Sequence, residues 1–470
     1  MEAGRRPGRR PTGRRESVTK TPPKTRLFGT DGIRGRYGEG HLTENAVCAL
    51  GRAVGAAFDR SPKGEGARAL LGHDGRHSGP ALEGALARGL GSVGFEVDSA
   101  GLIPTPGLAL LGRTKDYDLS LMISASHNPA ADNGIKIFGP GGDKLEDEFE
   151  DAIEEELARH PEPPIDSTIT PRHAPELEND YLDHLLALAN VKLDGMAIVL
   201  DCANGASSRV APRILGRLGA QVILIGCEPD GDNINEGCGS THPRGMQESV
   251  RLHGADLGIA LDGDGDRCIL CDGEGTLING DAILTITAHH AAARDALSPK
   301  KIVATVMSNR GLHRAMRAYD IEVLTVGVGD RRVVEALRSE NLMIGGEQSG
   351  HIVFGSDNAY IGDGIYTALR CLQVVCDTGR KLSELAEPYQ PFPQVLVNVS
   401  VSSRPNLSDI PAVAAHVEQI EKHLGDDGRV LVRYSGTEPL ARIMVEGPQE
   451  EWIRAQAQEL ASRIAKEIGA

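Results

Sequence analysis

No apolar run in the 470-residue sequence approaches the ~18 residues of a membrane-spanning helix, which excludes such a span. The Arg-Arg pairs near the N-terminus are followed by no apolar segment, so they do not form an export signal. Glycine is frequent, at 57 residues, but has no G-x-y period, which excludes collagen. Cys268 and Cys271 form a lone C-x-x-C, and no second pair stands at a spacing that would complete a zinc site. Aromatics are scarce, at 3%, and no internal repeat is visible. Basic charge is also scarce once the first 25 residues are set aside. That segment holds eight Arg and Lys against Glu2 and Glu16, a surplus of six, so the net −16 leaves −22 on the rest. An acidic body argues against nucleic-acid binding. Residues 1–25 lack apolar periodicity and read as a disordered basic tail.

What is present is a soluble, globular composition, 40% apolar and 25% charged, in a chain long enough for three or four domains. Several of the eight cysteines sit in strand-like apolar runs, which suggests buried thiols in a reducing, cytoplasmic setting. Short apolar runs (Arg68–Leu71, Leu119–Ile123, Ala197–Leu200, Gln221–Ile225, Leu257–Leu261, Lys301–Val306, Glu322–Val326) alternate with helical patterns between residues 45 and 375. This predicts α/β layers with mixed sheets. Pro-rich breaks at His160–Arg172 and Glu387–Pro393 read as linkers, and a weaker boundary follows Asp272. The expected units are 26–172, 173–273, 274–388 and an α+β unit at 389–470.

Four loops carry chemistry. The strand Leu119–Ile123 ends in Ser124-Ala125-Ser126-His127-Asn128-Pro129. Ligands of open α/β sheets bind beyond strand carboxyl ends, so Ser126 stands where a nucleophile or phosphate carrier is useful, although a turn former fits equally. The strand Leu257–Leu261 runs into Asp262-Gly263-Asp264-Gly265-Asp266-Arg267. Carboxylates at alternate positions repel unless a cation lies between them, and hard oxygens select Mg²⁺, Ca²⁺ or Mn²⁺. An EF-hand is excluded, because Arg267 and Gly273 occupy the positions that need Gly and Glu. A third loop, Arg433 to Pro439 followed by Arg442, combines hydroxyls, glycine and two guanidinium forks suited to a phosphate dianion. The fourth, Gly345–His351, offers Glu347 and Ser349 to sugar hydroxyls. Arg34, between glycines in Phe28–Gly35, is a candidate anion contact.

FGTDGIRG, SASHNP with NGIK, DGDGDR, GGEQSGH and RYSGTEP follow one another in the order found in the α-D-phosphohexomutases. From residue 26 onward the chain resembles that superfamily, and within it the bacterial phosphoglucosamine mutases. The resemblance implies four domains around a central cleft, three of them α/β and the last a phosphate-binding α+β domain. It implies a phosphoserine at Ser126, with Mg²⁺ held by Asp262, Asp264, Asp266 and a phosphate oxygen on Ser126. Glu347 and Ser349 would hold sugar hydroxyls. Arg433, Ser435, Gly436, Thr437 and Arg442 would hold the non-reacting phosphate, and Lys136 and Arg34 would flank the transferring group. The implied reaction interconverts glucosamine 6-phosphate and glucosamine 1-phosphate, with a hexose or hexosamine 1,6-bisphosphate as intermediate and activator. The implied partner is the phosphosugar alone, without nucleic acid or membrane, and a homodimer is left open. One departure is Arg332, where an aromatic residue is usual. Rivals are a phosphomannomutase or phosphoglucomutase, a metal-dependent phosphatase, and a non-catalytic phosphosugar binder.

Overall fold

The computed structural model describes residues 26–29, 32–58, 66–162, 169–435 and 439–469. The basic segment 1–25, together with Gly436 and Thr437, lies outside the described residues.

The first sheet has six strands, in the order Ile33–Arg36, Asp132–Phe138, Leu119–Ile123, Arg68–His73, Glu96–Leu102, Arg172–His173. The last four run parallel and the first two antiparallel to their neighbours. Its central strands are apolar on both faces because helices cover both. Leu119, Leu121 and Ile123 join one core with the helices Glu44–Phe58 and Gly79–Gly91. Met122 points the other way, into a second core with Leu108 and Leu111 of the helix Thr105–Thr114. Alternation with period two thus fills two cores from one strand.

That second core continues into the next two units. The second sheet runs Leu277–Ile278, Cys268–Asp272, Leu257–Leu261, Ala197–Asp201, Gln221–Ile225, with the first two strands antiparallel and the rest parallel. The third runs Glu322–Val326, Lys301–Thr305, Gly345–Gly346, Ile352–Val353, parallel except at its last strand. The fourth is an antiparallel sheet of Gln394–Ser400, Leu440–Glu446 and Arg429–Tyr434, with the helices Pro411–Leu424 and Glu450–Ile468 and a core of its own. Three mixed α/β units and a C-terminal α+β unit are therefore present.

The fourth unit docks on the third through one end of its hairpin. Arg429 donates to the carbonyls of Val306 (2.7 Å) and Ser308 (2.5 Å), and buried Glu446 accepts from the Arg310 amide (2.5 Å).

Some elements lie where the apolar pattern does not show them. Asp132–Phe138 is a strand although Asp132-Asn133-Gly134 has turn composition. Cys268–Asp272 folds back on Leu257–Leu261 instead of continuing it. The Pro-rich segment after residue 160 ends in Arg172–His173, which pairs with Glu96–Leu102 as an edge strand.

Candidate active site

Ser126 follows its strand by three residues, and its backbone is left-handed, at φ +51°. That conformation costs a non-glycine residue about 1 kcal/mol or more and persists only where surroundings enforce it. Arg76 is the main restraint. Its side chain is fully buried, and it donates from Nε to Asp74 (2.9 Å) and from its terminal nitrogens to the carbonyls of Ser126 (3.0 Å), Asn128 (2.9 Å), Asp132 (2.9 Å) and Pro129. Asp74 also accepts from Ser124 Oγ (2.6 Å), and Ser124 Oγ accepts from the Ser126 amide (2.8 Å). From the second unit, Asn235 Nδ2 donates to the carbonyls of Ser126 (2.9 Å) and Asn128 (3.1 Å).

So held, Ser126 Oγ donates to Asp262 Oδ2 at 2.7 Å. The two loops touch because Gly263 has no side chain. A Cβ there would stand 2.7 Å from the Ser126 carbonyl and 2.7 Å from Asn235 Nδ2. Ser126 itself is buried.

The carboxylates of Asp262, Asp264 and Asp266 are buried, and one oxygen of each lies within 4.8 Å of the others. Among the described residues, no other group of three or more His, Cys, Asp and Glu is close enough to share a metal ion. Asp264 Oδ2 accepts from Thr105 Oγ1 (2.5 Å) and Lys136 Nζ (2.7 Å), and Lys136 reaches Asp266 at 3.4 Å. Asp264 Oδ1 and Asp266 Oδ1 have no hydrogen-bond partner. Buried carboxylate oxygens are rarely left so, and hard oxygen donors this close suit a divalent cation. Burial, with the charges of Asp266 and Asp264, pushes Asp262 well above the usual carboxylate range. Against its own burial, Asp266 is held well below that range by Lys136 and His351. Burial disfavours the His351 imidazolium, yet Asp266 at 3.7 Å raises it to about 9. Burial, then Arg267 and Arg34, lowers His127 to about 4. These residues fit a metal ion.

A cavity of about 260 Å³ opens beside the triad where three units meet. Lys136 and Lys144 line it from the first unit, Asp266 from the second, and Asp330, Arg331 and His351 from the third. Lys144 bridges to Asp330 (2.6 Å) and Arg331 to Asp147 (2.6 Å), so ion pairs join the first and third units at this wall. Arg332 points elsewhere; its side chain is exposed and pairs with Glu335.

The structure thus brings together Ser126, Asp262, Asp264, Asp266 and Lys136. Arg34 is exposed on the antiparallel edge strand, and its NH1 stands 3.5 Å from Asn128 Oδ1 beside the serine loop. Glu347 is half-buried and accepts from the Gly329 amide (3.1 Å), which ties its loop to the segment before Asp330. Ser349 is exposed. Arg433 and Arg442 face each other across the fourth sheet, with buried Ser435 next to them. They occupy the hairpin end away from the docked Arg429, and among the described residues none of the fourth unit lines the cavity. Arg76, Asn235 and Thr105 were not legible as site residues, because their partners lie 50, 109 and 159 residues away. The Asp74-x-Arg76 pair after an apolar strand was the available signal.

The chain matches four family models in order: phosphoglucomutase/phosphomannomutase domain I over residues 25–163, domain II over 179–275, domain III over 279–392 and the C-terminal domain over 396–463. The chain belongs to the phosphoglucomutase/phosphomannomutase family. It is 47% identical over 444 residues to a phosphoglucosamine mutase of Mycolicibacterium gilvum, covering 94% of this chain and 99% of that protein. Family members also supply structural neighbours. A phosphoglucomutase/phosphomannomutase family protein from Burkholderia thailandensis superposes with TM-score 0.75 at 24% identity, over 93% of this chain and 96% of that one. The Aspergillus fumigatus N-acetylphosphoglucosamine mutase, solved with GlcNAc-6P and magnesium, superposes with TM-score 0.64 at 18% identity, over 93% and 95%. These two likenesses show the fold.

Proposed function

We propose that this chain is a phosphoglucosamine mutase that interconverts glucosamine 6-phosphate and glucosamine 1-phosphate through a phosphoryl group carried on Ser126. The observation that carries the chemistry is the buried Ser126 hydroxyl, 2.7 Å from the first carboxylate of a buried aspartate triad. The sugar is supported by the phosphoglucosamine mutase relatives at 46–47% identity.

Asp262, Asp264 and Asp266 would hold Mg²⁺, which supplies positive charge against the transferring phosphoryl oxygens. Arg76 and Asn235 fix the serine loop, so that Oγ meets the substrate in one orientation. Lys136 Nζ stands between the triad and the cavity, where it can offset negative charge or hold a proton from the sugar hydroxyl. Arg34 adds charge from the serine side. Glu347 and Ser349 would bind ring hydroxyls, and Arg433, Ser435 and Arg442, with Gly436 and Thr437, the distal phosphate. Turning the 1,6-bisphosphate intermediate over then presents the other end to the same serine. A hexose 1,6-bisphosphate would load Ser126 from outside. Cys48, Cys202, Cys268, Cys271 and Cys371 are buried as free thiols, which supports a cytoplasmic setting. Among the described residues no helix is long and apolar enough to cross a membrane.

The test is kcat/KM for glucosamine 6-phosphate, glucose 6-phosphate and mannose 6-phosphate under one set of conditions. Glucosamine phosphate should lead by roughly ten- to a hundredfold, the worth of one charge-assisted hydrogen bond to the 2-ammonium. A lead for glucose or mannose phosphate would assign the sister activity. Release of inorganic phosphate in place of isomerisation would make the protein a phosphatase.

A further inference from the structure

Three consecutive carbonyls of the aspartate loop accept from three different units. Gly263 accepts from the Ala206 amide of the second unit (2.8 Å), Asp264 from the Thr105 amide of the first (2.9 Å), and Gly265 from the Gly364 amide of the third (2.9 Å). Thr105 and Gly364 are each the first residue of a helix, Thr105–Thr114 and Gly364–Thr378. First-turn amides have no partner inside their own helix, so they can serve the loop without weakening the helix. The fit at Gly364 is close. A Cβ there would stand 2.4 Å from the Arg267 carbonyl oxygen and 3.0 Å from that of Gly265.

Two buried side chains outside the machinery described above fix these helix starts. Asp363 is the N-cap of Gly364–Thr378, and its Oδ1 accepts from the Tyr366 amide (2.9 Å). Its Oδ2 accepts from Tyr181 Oη (2.9 Å). Tyr181 belongs to the helix Glu176–Leu188 and is fully buried. Its ring lies on the helix Thr105–Thr114, where a Cβ at Gly107 would stand 2.9 Å from it. One tyrosine thus touches the helix that holds the Asp264 carbonyl and the cap of the helix that holds the Gly265 carbonyl. Core filling alone would need neither the hydroxyl nor the carboxylate, and each is costly to bury without the other.

We propose that Asp363, held by Tyr181, is a positioning residue that sets the Mg²⁺ affinity of the aspartate triad. Asp363 supplies no ligand atom to the triad. Its cap keeps the first turn of its helix formed, and that turn keeps the Gly364 amide on the Gly265 carbonyl. When the cap is lost the turn frays, and the loop loses one of its three supports. An incoming ion must then order the loop as it binds, and affinity falls. The inference rests on the metal reading of the triad.

The experiment titrates Mg²⁺ calorimetrically into the chelator-treated full chain and records the unfolding midpoint with and without the ion. Asp363→Ala should weaken Mg²⁺ binding roughly tenfold, as expected for a lost N-cap. Tyr181→Phe should weaken it roughly threefold, and it stands in if Asp363→Ala does not fold. Asp363→Asn should keep the parent's affinity within about twofold, because asparagine caps as well as aspartate and its Nδ2 can donate to Tyr181 Oη. A merely structural role would lower the midpoints of Asp363→Ala and Tyr181→Phe and leave Mg²⁺ affinity at the parent's value. That result would overturn the proposal, as would an Asp363→Asn protein that binds as weakly as Asp363→Ala. A parent protein that binds no Mg²⁺ would overturn the metal reading too, so the two failures are distinguishable.

Discussion

Ser126 Oγ and Asp262 Oδ2, 136 residues apart in sequence, lie 2.7 Å apart with both side chains buried. Around this contact, Arg76 and Asn235 hold one loop by its carbonyls, and a glycine lets the other approach. The serine is positioned by the first and second units together, which ties reactivity to their packing.

Arg76 is a positioning residue. Arg76→Met should strand the buried Asp74 carboxylate and loosen four carbonyls, lowering stability by about 3–5 kcal/mol. In protein that remains folded at low temperature, kcat should fall more than KM rises, because the serine loop loses its left-handed turn. Arg76→Lys should recover stability only in part, since an ammonium cannot reproduce the fork. Steady-state kinetics with an unfolding midpoint check both; unchanged kcat in Arg76→Met would contradict the restraint.

The aspartate triad should respond to metal by a readout independent of turnover. Adding Mg²⁺ to chelator-treated protein should raise the unfolding midpoint, because the ion binds only the folded arrangement. Asp264→Asn should weaken that shift and raise the Mg²⁺ concentration for half-maximal activity by tenfold or more, as one of three charges is lost. Calorimetric titration measures the affinity directly. A full midpoint shift in the variant would place the ion elsewhere.

How far the sequence shows this can be judged from particular residues. Leu119–Ile123 and Leu257–Leu261 have the bounds their apolar runs predict, because both faces of each are buried. Ser126 and the triad were legible from loops at strand ends, whereas Lys136 entered only through the family resemblance and lies within a strand. Asp132–Phe138 was not legible as a strand, because two of its buried positions are polar: Asn133, which bonds Ser78, and Lys136, which bonds Asp264 in the site. Arg76 and Asn235 were hidden for another reason. Apart from Asp74, which pairs with Arg76, their partners are backbone carbonyls, which leave no trace in side-chain pattern.

Acid stability follows from Asp98, which accepts from Arg172 (2.8 Å), Tyr117 (2.6 Å) and Arg68 (3.2 Å). The Arg172 hydrogen bond, against burial, lowers its pKa to about 2. A folded value below the unfolded one, ~3.9, gives stability that is complete above ~4 and lost as pH falls toward 2. With Arg172 largely exposed, the contribution is about 1–2 kcal/mol. Asp98→Asn should lower the unfolding midpoint at pH 7, and the gap from the parent should narrow below pH 4. A gap that widened in acid would reverse the assigned sign.

The most direct test of the central claim is to follow the phosphoryl group. Dephosphorylated protein is incubated with glucose 1,6-bisphosphate carrying label in its phosphates, digested, and its peptides read by mass spectrometry. The account predicts one phosphoryl group on Ser126, chased off by glucosamine 6-phosphate with label appearing in the sugar. It also predicts a folded Ser126→Ala protein with neither label nor mutase turnover. Label on any other residue, or wild-type turnover in Ser126→Ala, would contradict it.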